Sequence, residues 1–452
     1  MLHNKGLNLF LSIIILFVSH KYVLAQNVYI SLEDCIMIAN DNHLIPLVIA
    51  EDMKIARANY HIKRGERNVR IDGVVKTREI AKDSTNSIVS IPGVDTNISL
   101  FSGLFSRYSL YDPKKRHEEE AAEMQVNITK MATQKSMDEM VYNIKSAYYD
   151  YLYAIDSVRL KDDLLQKYRE KQSLAERLYA NGLTSILEVS RANVKVVEAM
   201  LDNELARNSE RLAKSALYMS IGITENDLPN LRPVPIKDIP KLRYSFEELT
   251  QLAMLYNPDI QIVNYDTRIQ RKRVSMARAL HNPTVDVEFG IGLQNQSFWG
   301  VDSNNEFANI FKFDKWAPVF FGNFVAAIPV YSGGAISAKT DAAMSEYNKS
   351  VYKEREIIMT VRNQIQVLLQ NLSELENQIK ISEMVVEDSQ RHALLARRSY
   401  ENGDASLMEV NEAEANVIQA TLGSYSIKYR YLLTLASIAK LIGVDEKQIC
   451  QS

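Results

Sequence analysis

Between Pro113 and Gly182 the chain contains neither glycine nor proline, and the same holds between Gly334 and Gly403. Each run is free to be one uninterrupted helix, on the order of 100 Å long at 1.5 Å per residue. Ordinary globular helices extend three or four turns, so two helices of this length commit the chain to long hairpins. The ends are marked by "RLYANGLTSILEV" at 177–189 and "RSYENGDASLMEV" at 398–410. In both, an Asn-Gly ends one helix through a left-handed residue, and Thr184, Ser185 or Ser406 is placed to cap the next.

The two turns belong to a wider duplication. The interval from Asn181 to Asn402 also separates Ile221-Gly222 from Ile442-Gly443. "YISLEDCIMIANDNHLI" (29–45) is echoed by "YSFEELTQLAMLYNPDI" (244–260), each a short helix with Ser31 or Ser245 ahead of an acidic pair. "SLYDPKK" (109–115) is echoed by "PVYSGGA" (329–335). The sequence therefore divides into a first repeat at 26–232, a proline-rich linker at 233–243 and a second repeat at 244–452. Helical hairpins are expected at about 114–221 and 335–442. Val141, Ile144, Tyr148, Leu152 and Ile155 form one apolar stripe at 3 and 4 spacing. Val197, Leu201, Leu205, Leu212, Ala216 and Met219 form another on the returning helix, and both read as helix-packing faces.

Elsewhere the period changes to two. In "TVDVEFGIGLQ" (284–294), Val285, Val287, Phe289, Ile291 and Leu293 share one face, while Asp286, Glu288, Gly290, Gly292 and Gln294 share the other. Strands are expected at about 69–80, 97–111, 283–298 and 316–331. A soluble sheet has such an apolar face, and so does an outer-membrane barrel with lipid outside and water within.

At the N-terminus, "LNLFLSIIILFV" followed by "VLA" reads as a secretory signal peptide over 1–25, cut after Ala25. The apolar run falls short of the roughly 20 residues that span a bilayer as a helix. A net charge of −3 with no long basic run gives no reason to expect nucleic acid. The two cysteines, Cys35 and Cys450, are too few for a disulfide framework or a zinc cluster. Phosphate-binding, zinc-hydrolase and nucleophile-elbow motifs are absent, so catalytic, cofactor and metal sites are expected to be none.

With its paired helix, strand and hairpin plan and its "NGxxSxxEV" turns, the mature chain resembles the TolC-type outer-membrane factors. The resemblance implies an α+β membrane protein acting as the duct of a tripartite efflux pump or type I secretion system. In this plan a homotrimer supplies four strands per protomer to one outer-membrane β-barrel, continued by a long α-helical barrel through the periplasm of a Gram-negative bacterium. It implies outer-membrane lipid around the barrel, a periplasmic adaptor protein and an inner-membrane pump as partners, and passive transport. It also implies a periplasmic iris at the hairpin ends. Counted from Gly403, the family's two acidic gate positions fall on Glu409 and Glu412, where better-known members carry Asp. Tyr400 matches a tyrosine that helps hold the iris shut. Gly182, Leu183 and Gly403 stand at the tips an adaptor touches. Val285, Val287, Phe289, Ile291 and Leu293 would face lipid. On residue spacing alone Glu409 and Glu412 are also ordinary solvated helix charges sharing one face. A soluble periplasmic coiled-coil scaffold or adaptor is the alternative reading of the whole chain.

Overall fold

The structure is a computed structural model and describes residues 28–81, 96–236, 239–299, 316–402 and 404–451. The expected signal peptide and Gly403 lie outside the described residues. These residues divide into two compact units. One takes those up to Ala50 with Thr133–Pro258 and Ile358–Ser452, and the other takes Glu51–Ala132 and Asp259–Ile357.

In chain order, β1 (Val28–Ile30), α1 (Leu32–Asn42) and α2 (Leu44–Gly65) precede the strands β2 (Arg70–Ala81) and β3 (Thr96–Tyr111). The first hairpin is α3 (Pro113–Ala180) and α4 (Ile186–Ile221), followed by the short strands β4 (Leu231–Pro233) and β5 (Lys241–Leu242). Then come α5 (Phe246–Tyr256), α6 (Pro258–Ala279), β6 (Thr284–Trp299) and β7 (Trp316–Ala327). The second hairpin is α7 (Ala335–Glu401) and α8 (Leu407–Ile442), and the chain closes with α9 (Glu446–Ile449) and β8 (Cys450–Gln451).

Element lengths in the two halves agree closely. α3 and α7 have 68 and 67 residues, and α4 and α8 have 36 each. Local chemistry sets their ends. Ser31 and Asp34 form a capping box on α1, and Ser245 and Glu248 form one on α5. Gly222 and Gly443 end α4 and α8, each at φ 79°, a conformation glycine reaches without a Cβ penalty.

In the unit containing the hairpin ends, tyrosines fasten the irregular segments to the long helices. The Tyr148 hydroxyl donates to the Val234 and Ile30 carbonyls at 2.9 and 3.2 Å, and Tyr151 donates to the Leu231 carbonyl at 3.1 Å. These carbonyls belong to or adjoin β1 and β4, which pair in parallel. Tyr431 donates to the Pro240 carbonyl at 3.1 Å, beside the antiparallel pair of β5 with β8. The Pro-rich segment is thus strapped down near both ends.

The helix-packing face of α4 differs from the expected one. Val197, Leu201, Leu205, Leu212 and Met219 are exposed in the protomer, Leu201 at 63% and Leu205 at 56%. The buried face is Val189, Ala192, Val196, Ala199, Asn203 and Ala206, which also recur at 3 and 4 spacing. Leu165 and Tyr168 of α3 pack against Val196 and Ala199. Small residues let helix axes approach closely, so the alanine stripe wins the intramolecular contact and leaves the larger side chains on the outside.

In the other unit, the four long strands form one antiparallel sheet in the order β2-β3-β6-β7. Its central joint is β3 with β6, pairing Leu104 with Ile291 and Tyr108 with Val287. Among the described residues β2 and β7 each pair on one side only. The fourth strand stops at Ala327 rather than continuing to 331. Pro329 has no N–H to give to a ladder, and Gly333 and Gly334, at φ 60° and 81°, turn the chain into α7.

Candidate functional site

The hairpin ends are built by backbone hydrogen bonds. At the first, the Gly182 N–H donates to the Tyr179 carbonyl at 2.9 Å and the Leu183 N–H to the Leu178 carbonyl at 2.8 Å. This pair of bonds, with Gly182 at φ 71°, satisfies the last carbonyls of α3 in a Schellman motif. Leu183 is left 73% exposed, an apolar side chain at the very turn. At the second end the Asp404 N–H donates to the Ser399 carbonyl at 2.8 Å, the equivalent bond. Gly403, expected at this tip, lies outside the described residues.

The two restarts differ. Ser406 caps α8: the Glu409 N–H donates to Ser406 Oγ at 3.3 Å, and the Ser406 N–H donates to Glu409 Oε2 at 2.9 Å. The carboxylate of Glu409 is therefore already engaged in a capping box. Ser185 stands at the N-cap of α4 but makes no side-chain cap bond, and Glu188 instead pairs with Arg191 at 2.6 Å. Glu409 and Glu412 are both exposed on α8, while Tyr400 is half-buried near the end of α7. Glu412 lines a cavity of about 410 Å³ together with Tyr168, Arg191, Lys195, Met408 and Asn411.

The tips also contain a network that motif reading missed. Lys171 Nζ donates to Glu414 Oε2 at 2.6 Å and to Asn411 Oδ1 at 2.9 Å, and Tyr168 donates to the Asn411 carbonyl at 3.3 Å. It joins the first hairpin to the second within one protomer. Burial lowers the pKa of Lys171, with Glu414 acting in the opposite direction. One sequence signal exists. Leu165, Tyr168 and Ala175 are buried on α3, and Lys171 falls at the same 3 and 4 spacing where an apolar residue is expected.

The faces of the sheet differ in chemistry. Val285, Val287, Phe289, Ile291 and Leu293 share one face of β6, the last three exposed and the first two half-buried. Exposed Leu104 of β3 and Phe320 and Phe324 of β7 flank them, and Ile71 and Val75 of β2, beyond β3, extend the same face. Phe289 and Phe320 meet edge to face at 4.7 Å. The opposite face holds Arg107 Nη2 at 2.7 Å from Glu288 Oε1, and Ser109 donating to Asp286. Farther along, that face is aromatic: Phe101 and Phe321 stand 5.6 Å apart, and Lys76 Nζ lies 4.2 Å from the Phe105 ring centre. The Phe321 ring occupies the space a Cβ on Gly290 would need, which accounts for glycine there.

A family model described as "Outer membrane efflux protein" matches residues 52–223 and 249–444. The cation efflux system protein CusC of Escherichia coli O157:H7 is 20% identical over 395 residues, covering 86% of this chain and 80% of CusC. The outer membrane protein TolC of E. coli K12 is 21% identical over 364 residues, covering 79% of this chain and 71% of TolC. The crystal structure of the outer membrane protein VceC of Vibrio cholerae superposes with a TM-score of 0.74 at 18% identity, covering 91% of this chain and 96% of VceC. On the family match, which takes in both strand pairs and both hairpins, the chain belongs to the outer membrane efflux protein family, whose members are passive outer-membrane channels and not enzymes.

Proposed function

We propose that three copies of this chain form the outer-membrane duct of a tripartite efflux or type I secretion machine. The observation that carries this reading is the four-stranded sheet, apolar on one face and ionic or aromatic on the other, with β2 and β7 paired on one side only among the described residues. Open strand edges do not persist in lipid, so such a sheet needs neighbours to close it. The face bearing Val285, Val287, Phe289, Ile291 and Leu293 meets lipid, and the face bearing Arg107 and Glu288 lines the lumen. The exposed stripe of Val197, Leu201, Leu205, Leu212 and Met219 supports the same assembly, because it offers each α4 an apolar seam for a second protomer. The matching element lengths support a tandem duplication.

At the hairpin ends, Glu412 and Glu409 form an acidic ring around the axis and favour cations. Tyr400 helps to hold the entrance shut, and the Lys171–Glu414 pair keeps the two hairpins of each protomer together in the closed state. Leu183 and Gly182 form a tip that a periplasmic adaptor grips, Gly403 is the adaptor contact expected from the family resemblance, and an inner-membrane pump supplies the energy. CusC is named for cation efflux, and an acidic entrance suits a cationic cargo. The soluble-scaffold alternative leaves the apolar sheet face without a role and does not fit the family match.

The test is single-channel conductance in a planar bilayer. The wild-type protein is expected to give a small cation-selective conductance that grows and loses selectivity in a Glu409→Gln, Glu412→Gln variant. Equal conductance and selectivity in both would remove the gate from these residues, and failure of the folded protein to insert would remove the duct.

A further inference from the structure

Where the sheet meets the helices, the structure has a cavity of about 860 Å³ that the channel reading does not use. Arg64 and Arg67 at the end of α2, Tyr108 and Tyr111 at the end of β3, Lys115 at the start of α3 and Lys272 of α6 line it. All of them belong to one compact unit.

The cavity's charges do not balance. Arg67 is answered by Glu119. Lys272 and Arg116 both reach Glu120, at 2.6 and 3.2 Å. Asp112 accepts the backbone N–H of Lys114 at 3.0 Å and keeps its charge, so the lining sets Arg64, Arg67, Lys115, Arg116 and Lys272 against the carboxylates of Asp112, Glu119 and Glu120. Arg64 and Lys115 are then left without a carboxylate partner among the described residues. An excess of two cations in one concave site, with Arg64 and Lys115 in no ion pair among the described residues, fits a phosphate: a guanidinium offers paired donors and an ammonium a point charge.

The location specifies the kind of phosphate. Tyr108 pairs with Val287 and Tyr111 with Val285, so both tyrosines continue the apolar face of the sheet to its helical end. Both are exposed, as is Leu110 between them. Tyrosines at the rim of an apolar band, next to lysine and arginine, are the arrangement of a membrane–water boundary.

We propose that this cavity holds the phosphate of an acidic phospholipid headgroup, with Arg64 and Lys115 as its cations and Tyr108 and Tyr111 at its border. The inference rests on the reading that the face of Val285 to Leu293 meets lipid. A phosphodiester from lipid and free inorganic phosphate share this chemistry, and the experiment separates them.

The purified full-length protein in detergent is offered phosphatidylglycerol, phosphatidylcholine or inorganic phosphate, and bound species are read by native mass spectrometry. Phosphatidylglycerol is expected to be retained over phosphatidylcholine, with retention falling roughly tenfold in R64Q/K115Q and largely preserved in R64K. Equal retention of the two lipids, or a double variant that holds phosphatidylglycerol like the wild type, would overturn the proposal. Retention of inorganic phosphate that displaces the lipid would overturn the headgroup assignment. Ile291→Trp in vesicles containing brominated lipid, read as the difference in fluorescence from the wild type, reports on the underlying face separately. Quenching of the added indole without lipid preference means that the headgroup site alone is wrong, whereas an added indole that escapes quenching refutes the lipid-facing assignment and the headgroup site with it.

Discussion

Lys171 Nζ lies 2.6 Å from Glu414 Oε2, and these two side chains are only 16% and 14% exposed. The pair links α3 to α8, so the first hairpin cannot move from the second without stranding a charge. Glu414→Gln leaves the ammonium in a half-buried site with weaker acceptors, at a cost of about 2 kcal/mol. Hydrogen exchange in the first turns of α8 is expected to accelerate, together with trypsin cleavage near the tip. Unchanged exchange would show that the link bears no part in holding the hairpins together.

Glu409 has two roles that can be separated. Glu409→Gln keeps an acceptor for the Ser406 N–H and preserves the cap while removing the charge. Glu409→Ala removes both and is expected to destabilise the start of α8 by about 1 kcal/mol. A conductance change in both variants, with a loss of local protection only in the alanine variant, is the expected pattern.

Leu201 and Leu205 are exposed in the protomer, so aspartate at either position costs the isolated hairpin little. At a helix seam between protomers the same charge is buried and unpaired. Leu201→Asp, Leu205→Asp is expected to leave helix content intact and abolish the trimer, as read by native mass spectrometry. A trimer that survives the double substitution would place the seam elsewhere.

Lys272 holds the Glu120 carboxyl down to about 2, with His117 and Arg116 adding to it. A depressed carboxylate pKa contributes stability that is present above the unfolded value of 4.5 and lost as pH falls through about 2. Lys272→Met removes the main partner, so acid unfolding of the sheet-bearing unit is expected to begin at a higher pH than in the wild type. Solvent screening at this partly exposed site limits the effect to about 1 kcal/mol. Circular dichroism along an acid titration measures it.

Long-range pairing marks the limit of what the sequence conveyed. The helices were readable because a missing glycine or proline is a local fact, and the turns because Asn-Gly and a capping serine act within a few residues. The strict alternation of β6 was readable for the same reason. The joint of β3 with β6 was not, since no local pattern tells Leu104 to sit opposite Ile291. The α4 stripe misleads because both faces of the helix carry apolar residues at 3 and 4 spacing, and the helix pair buries the one with Ala192, Ala199 and Ala206, whose small side chains allow close approach. At the tips, the Ser406-x-x-Glu409 spacing is a local capping pattern and legible, whereas the partner of Lys171 lies in the other half of the chain.

The sheet with two half-paired edge strands has a consequence for inheritance of defects. Under the trimeric reading the membrane wall exists only between chains, so a defective copy spoils the sound copies it joins. If a cell makes equal amounts of intact and edge-damaged protein that mix at random, only about one assembly in eight escapes a damaged member. Damage to β2 or β7 is therefore genetically dominant, whereas a lesion that keeps the chain from assembling at all is recessive.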